Sequence, residues 1–348
     1  LSEGLVYLLA AVAAVRVATG RARLPQTPVW APFIALLVIS GVSIILNQVP
    51  LTVGLLGIRQ MVRYVILFFA IVILAPRRES ARRIITLLFT VVFLESLLGI
   101  AQALFPAQLD ALLIPSERKF FESIQLTTGT SETWEPGTRV FGTMGRYDQL
   151  GTFLAFFLAL GAGLLWERAV PVRRMVSAAF FAAGGVALLL TQSRASWFGF
   201  AIALLVSGFL LKRDRRVIAA AGLVAALLLG ALLYTGVQLR YLTEAPDAPL
   251  VARFFEAFSP ARWRGEYDGL GRLYWAIITP TVVVPGSPIF GFGPGRFGAG
   301  AAAALHVTDV YDALKIPFGV WGTEGYIDNN WFAIWGEVGT LGLLAYAF

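Results

Sequence analysis

The chain has 348 residues, 57% of them hydrophobic and only 14% charged, with a mean hydropathy of +0.74. A soluble domain carries about 25% charged and 45–50% apolar residues, so this composition excludes a soluble enzyme. The absence of cysteine and the single histidine exclude disulfides, thiolate metal sites and cysteine nucleophiles and argue against a histidine metal centre; neither metal nor cofactor is expected.

Apolar runs of roughly 17–22 residues, each able to cross about 30 Å of hydrocarbon as a helix, recur at nine places. They are about 1–15, 29–46, 58–75, 84–104, 150–166, 176–191, 197–211, 217–238 and 329–348. In lipid the backbone must satisfy its own hydrogen bonds, which makes such runs helical. The predicted fold is all-α: a polytopic transmembrane helical bundle with a large extracytoplasmic loop region containing short interfacial helices. Residues 1–238 hold spans one to eight with an outer loop at 105–149, residues 239–328 form the large loop, and residues 329–348 form the ninth span. The chain opens on Leu1, already apolar, and stops at Phe348 inside an apolar stretch, so further helices are expected beyond both ends.

Four short connections are basic: Arg16/Arg21/Arg23, Arg77/Arg78/Arg82/Arg83, Arg168/Arg173/Arg174 and Lys212/Arg213/Arg215/Arg216. They hold 14 of the 28 Lys and Arg against three acids, Glu79, Glu167 and Asp214. The positive-inside rule places them in the cytoplasm, and their fall at every second connection agrees with nine spans. The net charge of +7 is therefore a topology signal and not a nucleic-acid footprint. The bilayer is the expected surrounding, and no nucleic-acid partner is expected.

The other connections face outward, at 47–57, 105–149, 192–196 and 239–328. A structureless loop approaching about 90 residues would be unusual, so short helices are expected inside the last. The stretches 254–258 and 273–278, and also 109–124, are amphipathic enough to lie at the interface. Trp134, Trp197, Trp263, Trp275, Trp331 and Trp335 crowd this boundary, where anchoring is the plain reading.

Several arginines lie on the outer side against the rule. Arg59 and Arg63 share a helix face at i,i+4; Arg194 lies in the turn Thr191-Gln-Ser-Arg-Ala-Ser-Trp-Phe-Gly199; Arg139 and Arg146 close the first long loop; Arg272 opens Arg272-Leu-Tyr-Trp275. An arginine pushed toward hydrocarbon costs roughly 2.5–3.5 kcal/mol on insertion scales. One alone snorkels to lipid phosphates, but several on one face suit a lipid-borne diphosphate, whose oxygens match guanidinium forks. There is no Asp-x-Asp metal motif, only Asp309-Val-Tyr-Asp312, and no GxxxxGK[ST] loop. The run Gly291-Phe-Gly-Pro-Gly295 neither follows a clear strand nor opens a clear helix, so it fails as a dinucleotide site.

Residues 135–348 resemble the O-antigen ligase and O-antigen polymerase family of bacterial membrane glycosyltransferases. Four landmarks carry the resemblance: Arg139-Val-Phe-Gly142 leading to Gly151-Thr-Phe-Leu; Ser193-Arg-Ala-Ser-Trp-Phe-Gly199; Gly271-Arg272 with Trp275, then Gly291-Phe-Gly293; and Asp328-Asn-Asn330 through Gly336-Glu-Val-Gly-Thr-Leu-Gly342. Where ligases of the family commonly place a histidine, this chain has Asp328, which tilts the reading toward polymerase.

The resemblance implies an inverting glycosyltransferase using an undecaprenyl-diphosphate-linked oligosaccharide at the outer leaflet of the bacterial inner membrane, with an acceptor glycan. The polymerase would extend repeat units of a surface polysaccharide; the ligase would transfer the glycan to lipid A-core or protein. A chain-length regulator and a flippase are implied neighbours. Asp328 is the implied base, with Glu324 and His306 as rivals. Arg194, Arg272, Arg139, Arg59 and Arg63 are the implied diphosphate contacts, and Trp263, Tyr267, Trp275 and Trp321 are available to stack on sugars. A flippase or transporter is the alternative of another class; it would use ionisable groups inside the spans, where only Glu95 and Glu337 qualify.

Overall fold

The computed structural model describes residues 2–75, 78–113, 120–121, 124–125, 139–167, 174–235, 239–242, 250–298, 300–320, 323–324, 327 and 329–348. It is an all-α polytopic membrane fold. In chain order its helices are α1 (Ser2–Ala18), α2 (Trp30–Leu46), α3 (Leu51–Leu74), α4 (Arg78–Leu104), α5 (Pro106–Leu113), α6 (Tyr147–Trp166), α7 (Arg174–Leu190), α8 (Arg194–Leu204) and α9 (Arg215–Thr235). The short α10 (Leu250–Glu256), α11 (Pro260–Asp268), α12 (Arg272–Ile278), α13 (Val284–Gly286), α14 (Gly300–Leu305) and α15 (Asp309–Leu314) precede the long α16 (Asn330–Ala347). Two-residue antiparallel pairs join β1 (Phe120–Phe121) to β2 (Ile124–Gln125) and β3 (Gly319–Val320) to β4 (Thr323–Glu324).

All nine expected spans are helical among the described residues. Among the described residues, five helical stretches are long and apolar enough to cross a membrane: Leu51–Leu74, Glu79–Leu104, Tyr147–Trp166, Arg194–Leu211 and Arg215–Leu233. α8 reaches that length by continuing as a π-helix over Leu205–Leu211. The leucines of α9 show what the surrounding solvent must be: Leu223, Leu227, Leu229 and Leu233 are each more than half exposed, which hydrocarbon favours and water does not. The large loop holds short helices, as its length required.

α3 starts at Leu51 and not near residue 58, because Pro50 ends the preceding turn and Leu51-Thr-Val-Gly-Leu-Leu-Gly57 continues the apolar pattern. Arg59 and Arg63 therefore lie about two and three turns inside the helix.

The chain divides into two compact units, one of residues 1–81, 118–128 and 264–348, the other of residues 82–117 and 129–263. This boundary cuts across the linear division into spans and loop. In the first unit α1 and α14 pack on α3, and α16 packs on α2. Leu36, Met61, Val62, Ile334 and Val338 form one core cluster there, and Trp275, Phe297, Tyr311, Ile327 and Ala333 lie in another. Asn329 starts α16 as its N-cap, its Oδ1 accepting from the backbone N–H groups of Trp331 at 3.0 Å and Phe332 at 3.2 Å; such a cap satisfies donors that the first turn leaves orphaned. In the second unit α6 packs on α7 and α8 around Val92, Val140, Leu150, Leu154, Leu158 and Leu188.

Candidate active site

In the second unit, two of the four sequence landmarks meet at the turn between α7 and α8. Gln192 takes a left-handed conformation (φ 52) and Ser193 an extended one, so Arg194 becomes the first residue of α8. The turn is tied back by the Trp197 indole N–H, which donates to the Leu188 carbonyl at 2.8 Å, and by the Thr191 hydroxyl, which donates to the same carbonyl at 2.7 Å. Ser193 and Ser196 hydroxyls bond each other at 2.8 Å, directly over Gly151 of α6, where a Cβ would lie 2.7 Å from Ser196 Oγ. The N–H of Val140 donates to the Leu190 carbonyl at 3.4 Å, which brings Arg139 beside the same turn.

The segment 140–143 is held from α4. Gln102 Oε1 accepts from the N–H groups of Phe141 at 2.9 Å and Gly142 at 3.0 Å, and its amide donates to Asp110 at 2.7 Å. The Thr143 N–H donates to Glu95 Oε2 at 3.1 Å, and the Thr143 hydroxyl donates to Glu95 Oε1. Buried acids and amides are tolerated here because each is hydrogen-bonded.

Arg194 does not stand alone. Its Nη1 lies 2.5 Å from Glu256 Oε1, and Arg262 Nε lies 2.9 Å from the same oxygen. Glu256 is 1% exposed while each arginine side chain keeps 21%. Arg253, one turn before Glu256 on α10, is also 1% exposed. Phe198, one turn after Arg194, packs on Phe254 and Phe258 at ring distances of 5.5 and 6.0 Å. Apolar and ionic contacts together fix α8 against α10.

In the first unit a backbone joint dominates. The Phe292 N–H donates to the Gly336 carbonyl at 2.9 Å and the Gly293 N–H to the Glu337 carbonyl at 2.8 Å. α16 breaks at Gly339 (φ 67), where it meets the loop. The glycine-rich run is thus a packing device: Gly291 has φ 66, and a Cβ there would lie 2.5 Å from the Glu337 carbonyl and from Gly339 N. Glu337 is 1% exposed, and its Oε1 accepts from the Phe297 N–H at 3.4 Å. Both acids that a transporter would use therefore bind loop backbone.

The remaining predicted residues fall as follows. Arg139 lies over the Tyr147 ring at 4.1 Å, in the second unit with Arg194. Arg59, Arg63 and Arg272 belong to the first unit. Arg63 lies over Tyr64 at 4.7 Å, and the turn of α3 that includes Gly57 and Gln60 touches 294–301, with Gln60 Oε1 accepting from the Ala301 N–H at 3.3 Å. Arg272 is exposed at the start of α12, its N–H donating to Glu266 Oε1 at 2.9 Å. His306 is exposed, with φ 51 and its ring 5.0 Å from that of Phe318.

Trp263 and Tyr267 are 49% and 38% exposed. Trp275 is fully buried between Phe297, Tyr311 and Tyr274, so it packs as a core residue with no free face for a sugar. Tyr311, whose hydroxyl oxygen accepts from the Gly298 N–H at 2.7 Å, is kept neutral by burial, which raises its pKa. Asp328 and Trp321 lie outside the described residues, as does the side chain of Glu324.

Sequence reasoning singled out none of Glu256, Arg262 and the buried Arg253. The signal was present in Arg253-Phe-Phe-Glu256: opposite charges at i,i+3 inside an aromatic run.

No curated protein and no solved structure matches the chain. Residues 178–347 match the family model described as O-antigen ligase. That segment includes the serine–arginine turn, Glu256 and Arg262, and the glycine joint with α16. Over that segment, just under half of its length, the chain matches the O-antigen ligase family, which supports its assignment to the O-antigen ligase and polymerase membrane glycosyltransferases.

Proposed function

We propose that the protein polymerises repeat units of a surface polysaccharide, as an inverting glycosyltransferase that uses an undecaprenyl-diphosphate-linked oligosaccharide and requires no metal. The site lies on the extracytoplasmic face of the bacterial inner membrane, an orientation supported by the basic connections alternating along the chain. The observation that carries this reading is Arg194: it opens α8 within the family segment, part-exposed, with its guanidinium held by the buried Glu256. A guanidinium stays charged at any relevant pH and binds phosphate oxygens in a fork.

In the reaction the acceptor hydroxyl oxygen forms a bond to the anomeric carbon. The bond from that carbon to the diphosphate oxygen breaks, and its electron pair leaves with the lipid diphosphate. The hydroxyl proton passes to Asp328, a carboxylate able to act as general base. Charge grows on the departing oxygen, so fixed guanidinium groups stabilise the transition state more than the ground state. Within the second unit Arg194 leads the diphosphate contacts, followed by Arg139, and Trp263 offers a stacking face for sugars. A flippase supplying the donor and a chain-length regulator are the matching partners.

The second reading is ligation to lipid A-core or to a protein hydroxyl, favoured by the description of the matched family. Purified protein incubated with lipid-linked repeat units, without nucleotide, should release lipid diphosphate as chains lengthen. Growth only when lipid A-core or protein acceptor is added would replace polymerase by ligase. Loss of activity in EDTA would overturn the metal-free reaction, and donor movement across vesicles without bond formation would replace transfer by flipping.

A further inference from the structure

We infer that Arg262 is a second diphosphate-binding residue, and that Glu256 is a positioning residue that presents Arg194 and Arg262 to the diphosphate as one paired clamp. The inference rests on the proposed function and adds to it two residues from the large loop.

The geometry carries it. One carboxylate oxygen contacts two guanidinium groups, at 2.5 and 2.9 Å, from helices separated by more than 40 residues of chain. The carboxylate is the buried partner and the arginines the part-exposed ones. The acid therefore lies behind the cations and does not cover them. A staple between α8 and α10 would need one arginine only. The second arginine, equally exposed, joins α11 to α10, which the turn at Ser259 already ties, and adds a cation beside the first.

The support under Arg262 is rigid. Ser259 is fully buried between α10 and α11; its N–H donates to the Glu256 carbonyl at 3.0 Å, its carbonyl accepts from the Trp263 N–H at 3.2 Å, and its hydroxyl accepts from the Arg262 N–H at 3.4 Å. Glu256 and Arg262 are thus fixed on two sides of one short turn, while the Phe198, Phe254 and Phe258 contacts set the distance to α8. A diphosphate has oxygens on two phosphorus atoms, and two forks held at a fixed separation favour it over a monophosphate through bidentate, charge-assisted hydrogen bonds.

The test uses the full chain in detergent, with farnesyl diphosphate and farnesyl monophosphate as probes, and reads affinity by calorimetry and folding by thermal melting. Arg262→Ala should weaken diphosphate binding about 10- to 100-fold, the scale of a lost hydrogen bond to a charged group. Arg262→Lys should recover only part of this, because a point charge replaces a fork. Glu256→Gln, which keeps the shape, should weaken diphosphate binding about tenfold, as outer partners do for the groups they orient. It should also narrow the preference for diphosphate over monophosphate, which loss of packing alone would not change.

The double variant E256Q/R262Q separates clamp from staple: it should regain melting temperature relative to E256Q but not affinity. Regained affinity, or diphosphate binding unchanged in Arg262→Ala, overturns the inference. If the wild type binds diphosphate and Arg194→Ala abolishes that binding while Arg262→Ala and Glu256→Gln do not affect it, the clamp fails and the proposed function stands. If the wild type does not bind farnesyl diphosphate, both fall.

Discussion

The two units each hold a joint made of family landmarks, and the joints are built from opposite materials. In the first unit the loop at 288–293 meets α16 backbone to backbone, with glycines where a Cβ would strike a carbonyl. In the second unit the serine–arginine turn meets α10 and α11 through side chains, with two cations on one buried carboxylate. At Gly291 and Gly339 glycine marks a close approach of main chains. Convergent charge marks a place where part of the electrostatic potential is left facing outward. The Gly-rich run forms a main-chain joint, whereas the Arg-bearing turn brings two guanidinium groups to one buried carboxylate.

Four substitutions sharpen or break that contrast. The largest effect is expected for Gly291→Ala, which combines a positive φ with overlap onto the Glu337 carbonyl and Gly339 N; strain and overpacking together cost about 3–5 kcal/mol. Melting followed by size-exclusion chromatography should show most of the protein unfolded or aggregated, and an unchanged profile would mean the joint is looser than described. Next comes Arg194→Ala, which should lower the transfer rate about 10²–10³-fold, as loss of one transition-state donor does. Chain growth at the wild-type rate by well-folded R194A would remove the turn from the site.

Thr143→Val should be milder. It deletes the hydroxyl that donates to Glu95 but leaves the Thr143 N–H in place, and should reduce stability by about 1–2 kcal/mol. Denaturation that matches the wild type would show Glu95 to be satisfied from elsewhere. The smallest effect belongs to Gly199→Ala in α8, where an added Cβ meets no atom within 4 Å. Helix propensity then favours alanine by about 0.5–1 kcal/mol, so the melting temperature should stay level or rise. A clear drop would extend to Gly199 the close-packing role that Gly151 already has in this unit.

Much of the fold was legible because hydropathy is a local signal. Lipid obliges each apolar run to bond within itself, so the apolar helices followed from composition along the chain, and the start of α3 was misjudged only where small residues blurred the edge. The landmarks of the candidate site were legible as an ordered set. Their grouping was not. Nothing in Arg139-Val-Phe-Gly142 says that Val140 will bond to Leu190, and nothing in Gly291-Phe-Gly293 says that it will lie along a break in α16. Trp275 read as an interfacial aromatic because an amphipathic heptapeptide leaves its buried face undefined; packing on Phe297 and Tyr311 placed it in the core.

The order of residues alone therefore determined a membrane protein of alternating basic connections, its helical spans and its family resemblance, since each depends on neighbours in sequence. Tertiary structure decided which acids and arginines leave water and whom they meet. Glu256 was one of nine acids in a long loop until the fold buried it against residues 62 and six positions away. A charge acquires its energy from surroundings that the folded chain assembles from distant segments, and no window along the sequence contains them.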